Sequence, residues 1–166
     1  MRAAAEVPAR SDGGVSRLLS ALVFVVLLAC SRREAVPDEA TLRADDKREL
    51  ERVVAIDVRA SQAMREADEA AQVGDAGAAS LAVTGRAVPS IDEALRTAES
   101  ATMKSAWGKA KRDELVGILR DRKAEMPKYE EAVRTGDAEK MLTAIQAQAA
   151  IERRALATVS AVQEGR

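Results

Sequence analysis

Three charged side chains fall on or beside the apolar stripes of the helices that the sequence predicts: Asp57, Arg122 and Glu152. Each can be placed by counting along its helix from a glycine at a predicted turn. Asp57 precedes Gly74, Arg122 precedes Gly136 and Glu152 follows Gly136, in each case by similar stretches of chain. Because a helix rises ~1.5 Å per residue, the three side chains fall within ~5 Å of one another along the axis of a helical bundle.

An arginine between two carboxylates would balance charge and fix the register of the helices. Gln148 lies one turn from Glu152 and could join such a layer through a hydrogen bond. Three interpretations are open. The long side chains lie on the stripe edges and reach water, they form a structural ion network, or they line a polar ligand site in the bundle. The residue pattern by itself favours the first.

Other chemistry finds little support in the residue types. Carboxylate-bundle metal sites pair a glutamate with a histidine, and the chain contains no histidine. The haem-attachment motif CxxCH is absent. A serine nucleophile would therefore need a lysine as its base, and none of Ser80, Ser90, Ser100 and Ser105 shows such an arrangement. The sequence predicts no catalytic residue, no metal site and no cofactor, and so a protein that is not an enzyme.

Trp107 is the second candidate for a specific contact. It stands among Met103, Lys104, Lys109 and Lys111, in or next to the turn expected between the second and third helices. That turn and the start of the first helix fall at the same end of an antiparallel bundle. An indole among lysines suits a membrane interface. The alternative is that Trp107 caps the core.

The helices that position these side chains follow from apolar residues recurring at three- and four-residue steps. They are predicted over residues 38–73, 75–103, 106–135 and 137–162. Gly74-Asp75 and Gly136-Asp137 combine a residue suited to a helix end with one that caps the next helix. Pro89 is expected to kink or restart the second helix, and Pro127 to bend the third. The alternative near Gly108 is one long helix without a turn.

The same spacing assigns an apolar stripe to the core in both the second and the fourth helix. The stripe of the second helix consists of Leu81, Val88, Ile91, Leu95 and Ala98. The stripe of the fourth consists of Met141, Leu142, Ile145, Ala149, Leu156, Val159 and Val162.

The two halves of the predicted domain also resemble each other. Gly74-Asp75-Ala76 matches Gly136-Asp137-Ala138, and at the same offset Met64 matches Met126. This indicates two similar hairpins and an internal duplication, although alanine-rich sequences match easily by chance, so duplication stays open. The expected fold is an all-α antiparallel four-helix bundle, with self-association as a source of added stability.

The remaining informative segment is the apolar run from Leu18 to Ala29, which follows Arg17 and ends at Cys30, the only cysteine. Twelve residues are too few for a membrane-spanning helix, which needs ~20. A basic start, a short apolar core and a small residue before the cut are typical of a secretory signal peptide. The end of the run, Leu27-Leu28-Ala29-Cys30, resembles the lipobox of bacterial lipoproteins. The alternative is an ordinary secretory signal in which the cysteine is incidental.

That resemblance implies removal of residues 1–29 and acylation of Cys30, so that membrane lipid is a partner. Ser31, in place of aspartate, implies the periplasmic face of the outer membrane rather than the inner membrane. Residues 30–37 would be a linker and residues 38–166 the folded domain. No family is recognised for residues 31–166.

The chain after residue 29 carries 23 basic and 25 acidic side chains, a net charge of −2 without a basic block, which argues against a nucleic-acid partner. The leading expectation is a non-enzymatic structural or interaction module with an unknown protein partner. The alternative is a binding module for a small amphipathic ligand between the helices. A packed core would favour the first, and a pocket of several hundred Å³ lined by leucine, methionine and the Arg122 layer would favour the second.

Overall fold

The computed structural model describes residues 38–166, and this part of the chain contains helices and no strand. The helices are α1 Glu39–Gln72, α2 Ala76–Ala82, a π-helical turn Val83–Ala87, α3 Val88–Ser100, α4 Ala106–Thr135 and α5 Ala138–Glu164. The helices α2 and α3 and the π turn between them follow one another without a break and form one rod. Together with α1, α4 and α5, this rod makes the domain an antiparallel bundle of four rods. The prediction of an all-α four-helix bundle is confirmed. The predicted signal peptide, Cys30 and the linker up to residue 37 lie outside the described residues.

The two Gly-Asp turns are built as their sequence predicts. Gly74 and Gly136 have φ values of 80° and 64°, a left-handed conformation that glycine adopts without steric cost. The Asp75 side chain then accepts a hydrogen bond from the backbone N–H of Ala78, and Asp137 caps α5 in the same way. Each turn therefore ends one helix and starts the next within three residues.

The second rod departs from a regular helix just before Pro89. Across the π turn the N–H of Val88 donates to the carbonyl of Val83, five residues back. This wider turn makes room for a proline, which would otherwise clash with the carbonyl of residue 85. The rod ends at Ser100, three residues earlier than predicted, and Ala101 is extended. A connection therefore separates α3 from α4, and the alternative of one continuous helix is wrong.

The core is built largely from small side chains. One cluster of buried residues surrounds Ile91, Met126 and Tyr129, and another surrounds Leu50, Leu115 and Leu119. On α4 the apolar residues that recur at helical spacing are all buried, namely Leu115, Ile118, Leu119, Met126, Tyr129 and Val133.

The stripe predicted for the fourth helix is partly wrong. Val162 is buried as predicted, but Leu142, Ile145 and Leu156 are exposed, and the inward face of α5 also includes Ala144, Ile151, Ala155 and Thr158. Leu81, assigned to the core of the second rod, is 67% exposed. The physical reason is the contact with α4: Ile151 and Ala155 pack against Ile118 of that helix, so the stripe that contains them is buried.

One seam of the bundle is less tightly closed than the others. Helix α5 packs chiefly against α4 and only lightly against α1. Helix α4 therefore lies beneath the seam between α1 and α5. The candidate site lies in this seam. None of the helices within residues 38–166 combines the length and apolar character needed to cross a bilayer.

Candidate ligand-binding site

The structure brings Asp57, Arg122 and Glu152 together at one level of the bundle. Arg122, on α4, donates through Nη1 to Oδ1 of Asp57 and through Nη2 to Oε2 of Glu152, both at 2.5 Å. Nη1 also lies 3.3 Å from the Ser61 hydroxyl. The Arg122 side chain is almost completely buried, with 2% of the residue exposed. The interpretation that all three side chains reach water is therefore wrong for the arginine, which links three helices.

The two carboxylates of this layer have different surroundings. The Asp57 side chain is 12% exposed, whereas the Glu152 side chain is 43% exposed. Burial raises the pKa of Asp57 above its ordinary value, the Arg122 guanidinium acts against that rise, and the Glu152 carboxylate adds to it. One guanidinium serves two carboxylates, of which only Asp57 is buried.

Gln148 does not join the layer by a hydrogen bond, which corrects the prediction. The Oε2 atom of Glu152 is taken by Arg122, and the Gln148 amide lies along the wall of a cavity instead. Its Nε2 is buried and has no acceptor among the residues that the structure describes. A buried N–H group without a partner costs on the order of 1–3 kcal/mol, so this amide weakens the packing of α5 at the cavity wall.

A cavity of about 310 Å³ opens in the seam beside the Arg122 layer. Its walls come from three helices and mix polar with apolar side chains. They are Ser61, Met64, Arg65 and Asp68 of α1, Arg122 and Tyr129 of α4, and Ile145, Gln148, Ala149 and Glu152 of α5. This volume is within the range typical of small-molecule sites in proteins.

Asp68 and Tyr129 form a second polar pair on the cavity wall, and sequence reasoning missed it. Tyr129 is 1% exposed, and its hydroxyl donates to Oδ1 of Asp68. Burial, together with the neighbouring Asp68 carboxylate, raises the pKa of Tyr129 far above its ordinary value, so the phenol stays protonated as a donor. A signal was present, because the only tyrosine lies on an apolar stripe and a buried phenol needs a partner.

Asp46 is a further buried carboxylate that the sequence analysis did not identify. It is 1% exposed and accepts hydrogen bonds from the N–H groups of Lys104 and Ser105, at 2.9 and 2.7 Å, and from the Ser105 hydroxyl at 2.6 Å. Burial acts to raise the pKa of Asp46, but these hydrogen bonds outweigh it and lower that pKa. Asp46 therefore holds the connection between α3 and α4 against α1.

Trp107 lies at the same end of the bundle as this connection. The indole Nε1 donates to the backbone carbonyl of Arg166 at 2.6 Å, and the guanidinium carbon of Arg43 lies 5.5 Å from the ring centre. The ring is partly buried against the cluster that contains Leu50. These contacts place the indole on the core, as the alternative interpretation expected, and a membrane contact at Trp107 stays a prediction.

The arrangement offers no group of metal ligands, since residues 38–166 contain no cluster of three or more carboxylate or cysteine side chains that could hold an ion. Comparison with known protein families, with curated proteins and with solved structures finds no match to this chain.

Proposed function

We propose that this chain is a binding module that holds a small amphipathic molecule in the seam between α1, α4 and α5. The observation that carries the proposal is the 310 Å³ cavity beside the Arg122 layer. Met64, Ile145 and Ala149 give it an apolar side, and Arg122 and Gln148 add polar side chains to its walls. A cavity with apolar walls and a few convergent polar groups is the usual form of a small-molecule site.

We further propose that the module is anchored to a membrane through acylated Cys30 and faces the periplasm from the outer membrane. The support is the sequence of residues 17–31: a basic residue, a short apolar run, and a cysteine followed by serine. One acyl chain holds a protein weakly, whereas two or more give stable anchoring, which is what a lipoprotein cysteine carries. Binding needs no catalytic residue, and we propose none.

A fluorescent probe tests the binding proposal without knowledge of the natural ligand. N-Phenyl-1-naphthylamine is small, neutral and amphipathic, and its emission rises in an apolar site. We expect saturable binding to residues 30–166. Ala149→Phe, which fills the cavity, should abolish binding. Ala150→Phe is the matched control, because Ala150 is also exposed on α5 but is not part of the cavity wall.

Unchanged probe binding in Ala149→Phe would show that the cavity is not the site, and absence of binding to the unsubstituted protein would reject the proposal. The anchor is tested separately by the mass of the protein extracted from cells. We expect a chain that begins at Cys30 and carries acyl groups. A chain that retains residues 1–29 without added acyl mass would reject the anchor and leave the cavity unaffected.

A second candidate function is docking of a protein partner. The specific observation in its favour is the row of exposed apolar side chains on α5, namely Leu142, Ile145 and Leu156. Exposed apolar residues that follow one helix face are typical of interaction surfaces. Leu156→Gln would weaken such a contact without reaching the cavity, so a loss of cross-linked partner in cells together with unchanged probe binding would favour this function.

A further inference from the structure

The exposed apolar side chains of α5 form one stripe beside the seam. Leu142, Ala149 and Leu156 follow one another at steps of seven residues, which return to nearly the same side of a helix after two turns. All three are exposed, Leu142 at 58% and Leu156 at 60%. Ile145 is also exposed and lies one turn from Leu142 and from Ala149. Single exposed apolar residues are ordinary, but a continuous row of this length is typical of an interaction surface.

Helix α1 extends this surface to the other side of the seam. Val58 is 47% exposed, and seven residues later Arg65 lies on the cavity wall between α1 and α5. Seven residues make nearly two turns, so Val58 lies on the seam side of α1 as well. The side chains of the two helices that border the opening of the seam are together called the seam face. They are Val58, Arg65, Leu142, Ile145, Ala149, Glu152 and Leu156.

Positions on α1 and α5 can be compared along the bundle axis by counting from the glycine of the turn next to each helix. Lys47 and Gln163 are each 27 residues from the glycine of their turn. The Nζ atom of Lys47 donates to the backbone carbonyl of Gln163 at 2.5 Å. Equal counts on the two helices therefore correspond to one level of the bundle.

The seam face matches itself about a twofold axis at the level of Ala149. Such an axis reverses the direction of the helices, so that Leu142 of one copy meets Leu156 of the other, and the contact occurs twice. By the count from the turns, Val58 of one copy lies within one residue, or ~1.5 Å, of the level of Ile145 of the other. Each large exposed apolar side chain of the face thus meets another apolar side chain.

The charges of the seam face match about the same axis. Arg65 is exposed, the Glu152 side chain is 43% exposed, and the two lie within one residue step of the same level in opposite copies. Opposite charges therefore face each other twice. A parallel pair would instead place α5 of one copy over α1 of the other at equal levels. Ile145 would then meet Arg65, and Glu152 would meet Val58, so apolar side chains would cover charged ones.

We propose that two copies of this chain associate through the seam face, antiparallel about a twofold axis beside Ala149. The face is ~21 Å long from Leu142 to Leu156 and two helices, or about 20 Å, wide. It covers on the order of 400 Å² on each copy, about half of the ~800 Å² of a standard specific interface, so we expect micromolar rather than nanomolar affinity. The second copy also covers the opening of the cavity. This inference does not depend on ligand binding, and it gives the apolar row of α5 one occupant.

Sedimentation velocity tests the association directly. Residues 38–166 belong to one compact unit, and this fragment leaves out Cys30, so that no disulfide can link the copies. Between about 1 µM and 1 mM we expect the sedimentation coefficient to rise from that of a monomer to that of a dimer. A monomer throughout this range would overturn the proposal. Growth beyond a dimer would also overturn it, because a twofold contact closes after two copies.

A matched pair of leucine substitutions locates the contact. Leu156→Gln removes both leucine contacts of the dimer, and we expect at least a tenfold weaker association. Leu81→Gln is the control, because Leu81 is 67% exposed on α2 and lies outside the seam face. Both residues are on the surface, so neither substitution disturbs the core. Equal effects of the two substitutions would show that the copies do not meet at the seam face.

The antiparallel direction is tested by charge reversal. Arg65→Glu places two carboxylates against each other at both ends of the contact and should weaken the dimer. Arg153→Glu is the control, since Arg153 is exposed on α5 but lies beside the seam face and opposite no carboxylate of it. A larger effect of Arg153→Glu would contradict the proposed arrangement.

Cross-linking gives a second measure of direction. In a mixture of Leu142→Cys and Leu156→Cys proteins, a short bismaleimide should link the two variants to each other. Neither variant should link to itself, and efficient linkage of Leu142→Cys to itself would overturn the antiparallel pairing. If the protein stays monomeric while the naphthylamine probe binds and Ala149→Phe blocks it, this inference fails and the proposed binding function stands. If a dimer forms and no probe binds, the reverse holds.

Discussion

Asp46 and Asp57 lie on the same face of α1, three helical turns apart, and they are buried in opposite ways. The carboxylate of Asp46 is enclosed by two backbone N–H groups and a hydroxyl of one connection. The carboxylate of Asp57 shares one guanidinium with Glu152, and that guanidinium borders a cavity. Hydrogen bonds lower the pKa of Asp46, whereas burial raises the pKa of Asp57.

The difference separates two uses of a buried charge. At Asp46 the surrounding main chain satisfies the carboxylate, so the residue fixes a loop and has little capacity left for a ligand. Asp57 shares the positive charge of Arg122 with Glu152, and the Nε2 donor of the nearby Gln148 has no acceptor in the described part of the chain. Groups with shifted pKa values beside a cavity point to function more often than groups enclosed by backbone, and this favours the Arg122 layer as the functional region.

The largest effect is expected at the Arg122 layer. Arg122→Met leaves the buried Asp57 carboxylate without its cation, and removing one partner of a buried ion pair costs ~3–5 kcal/mol. Urea denaturation at pH 7 measures the loss of unfolding free energy. The loss should shrink near pH 4.5, because the unpaired Asp57 then takes up a proton.

Arg120→Met is the matched control for this prediction. Arg120 pairs with Glu99 on the surface, where both side chains are largely exposed. Such a pair is worth ~0–1 kcal/mol. Equal losses in the two variants, or a loss in Arg122→Met that does not depend on pH, would show that the buried layer contributes no more than a surface pair.

The next effect concerns the connection between α3 and α4. Asp46→Ala leaves two buried N–H groups and a hydroxyl without their acceptor, and we expect a loss of about 3 kcal/mol of unfolding free energy. Because the orphaned donors are uncharged, the loss should be nearly the same at pH 5 and pH 7, unlike that of Arg122→Met. Asp45→Ala removes only surface pairs with Arg48 and Lys104 and should cost ~1 kcal/mol or less.

A smaller effect is expected where Asp46 meets α4. A Cβ at Gly108 would overlap the Asp46 carboxylate, so Gly108→Ala must displace it, at a cost of ~1–3 kcal/mol. Gly117 is on the same helix and has open space around it. Gly117→Ala should therefore stabilise the protein by ~0.5–1 kcal/mol, as glycine replacement in a helix interior usually does. Thermal unfolding of the two variants should shift in opposite directions, and a stabilising Gly108→Ala would contradict the close contact.

The fold could be predicted because its signals are local. Apolar spacing, the Gly-Asp turns and the aspartate caps each act within a few residues, and they place three of the four rods to within one or two residues. The face of α5 could not be predicted, because two stripes compete on that helix. Leu142 and Leu156 lie on one stripe, and Ala144, Ile151 and Ala155 lie on another. Only the approach of α4 decides which stripe is buried.

The candidate site was partly accessible from the sequence for a similar reason. Counting residues from a turn gives the position of each side chain along the bundle axis. This count places Asp57, Arg122 and Glu152 at one level. The same count would have paired Asp68 with Tyr129, and the spacing of Asp46 from the apolar residues that follow it puts Asp46 on the buried stripe of α1. The cavity itself could not be predicted, because it depends on how far α1 and α5 stand apart, and no local pattern sets that separation.

The smallest effect is the dependence of stability on pH, and the two aspartates should contribute with opposite signs. Asp46 has a lowered pKa in the folded protein, so its stabilising contribution is present above the unfolded value of about 3.9 and is lost as the pH falls below it. Asp57 has a raised pKa, so the folded protein holds that proton more tightly than the unfolded chain. Its contribution to the unfolding free energy therefore falls as the pH rises from about 4 through the folded pKa.

Urea denaturation between pH 3 and pH 7 separates the two contributions. Asp57→Asn removes the contribution of Asp57, which lowers the unfolding free energy as the pH rises. Above pH 4 the stability of this variant should therefore rise more steeply with pH than that of the unsubstituted protein. Asp46→Asn should instead flatten the profile below pH 4 and leave its slope above pH 4 unchanged. If both substitutions change the slope in the same pH range and with the same sign, the pKa values of the two carboxylates are shifted in the same direction. The proposed difference between Asp46, which fixes a connection, and Asp57, which belongs to the Arg122 layer, would then be wrong.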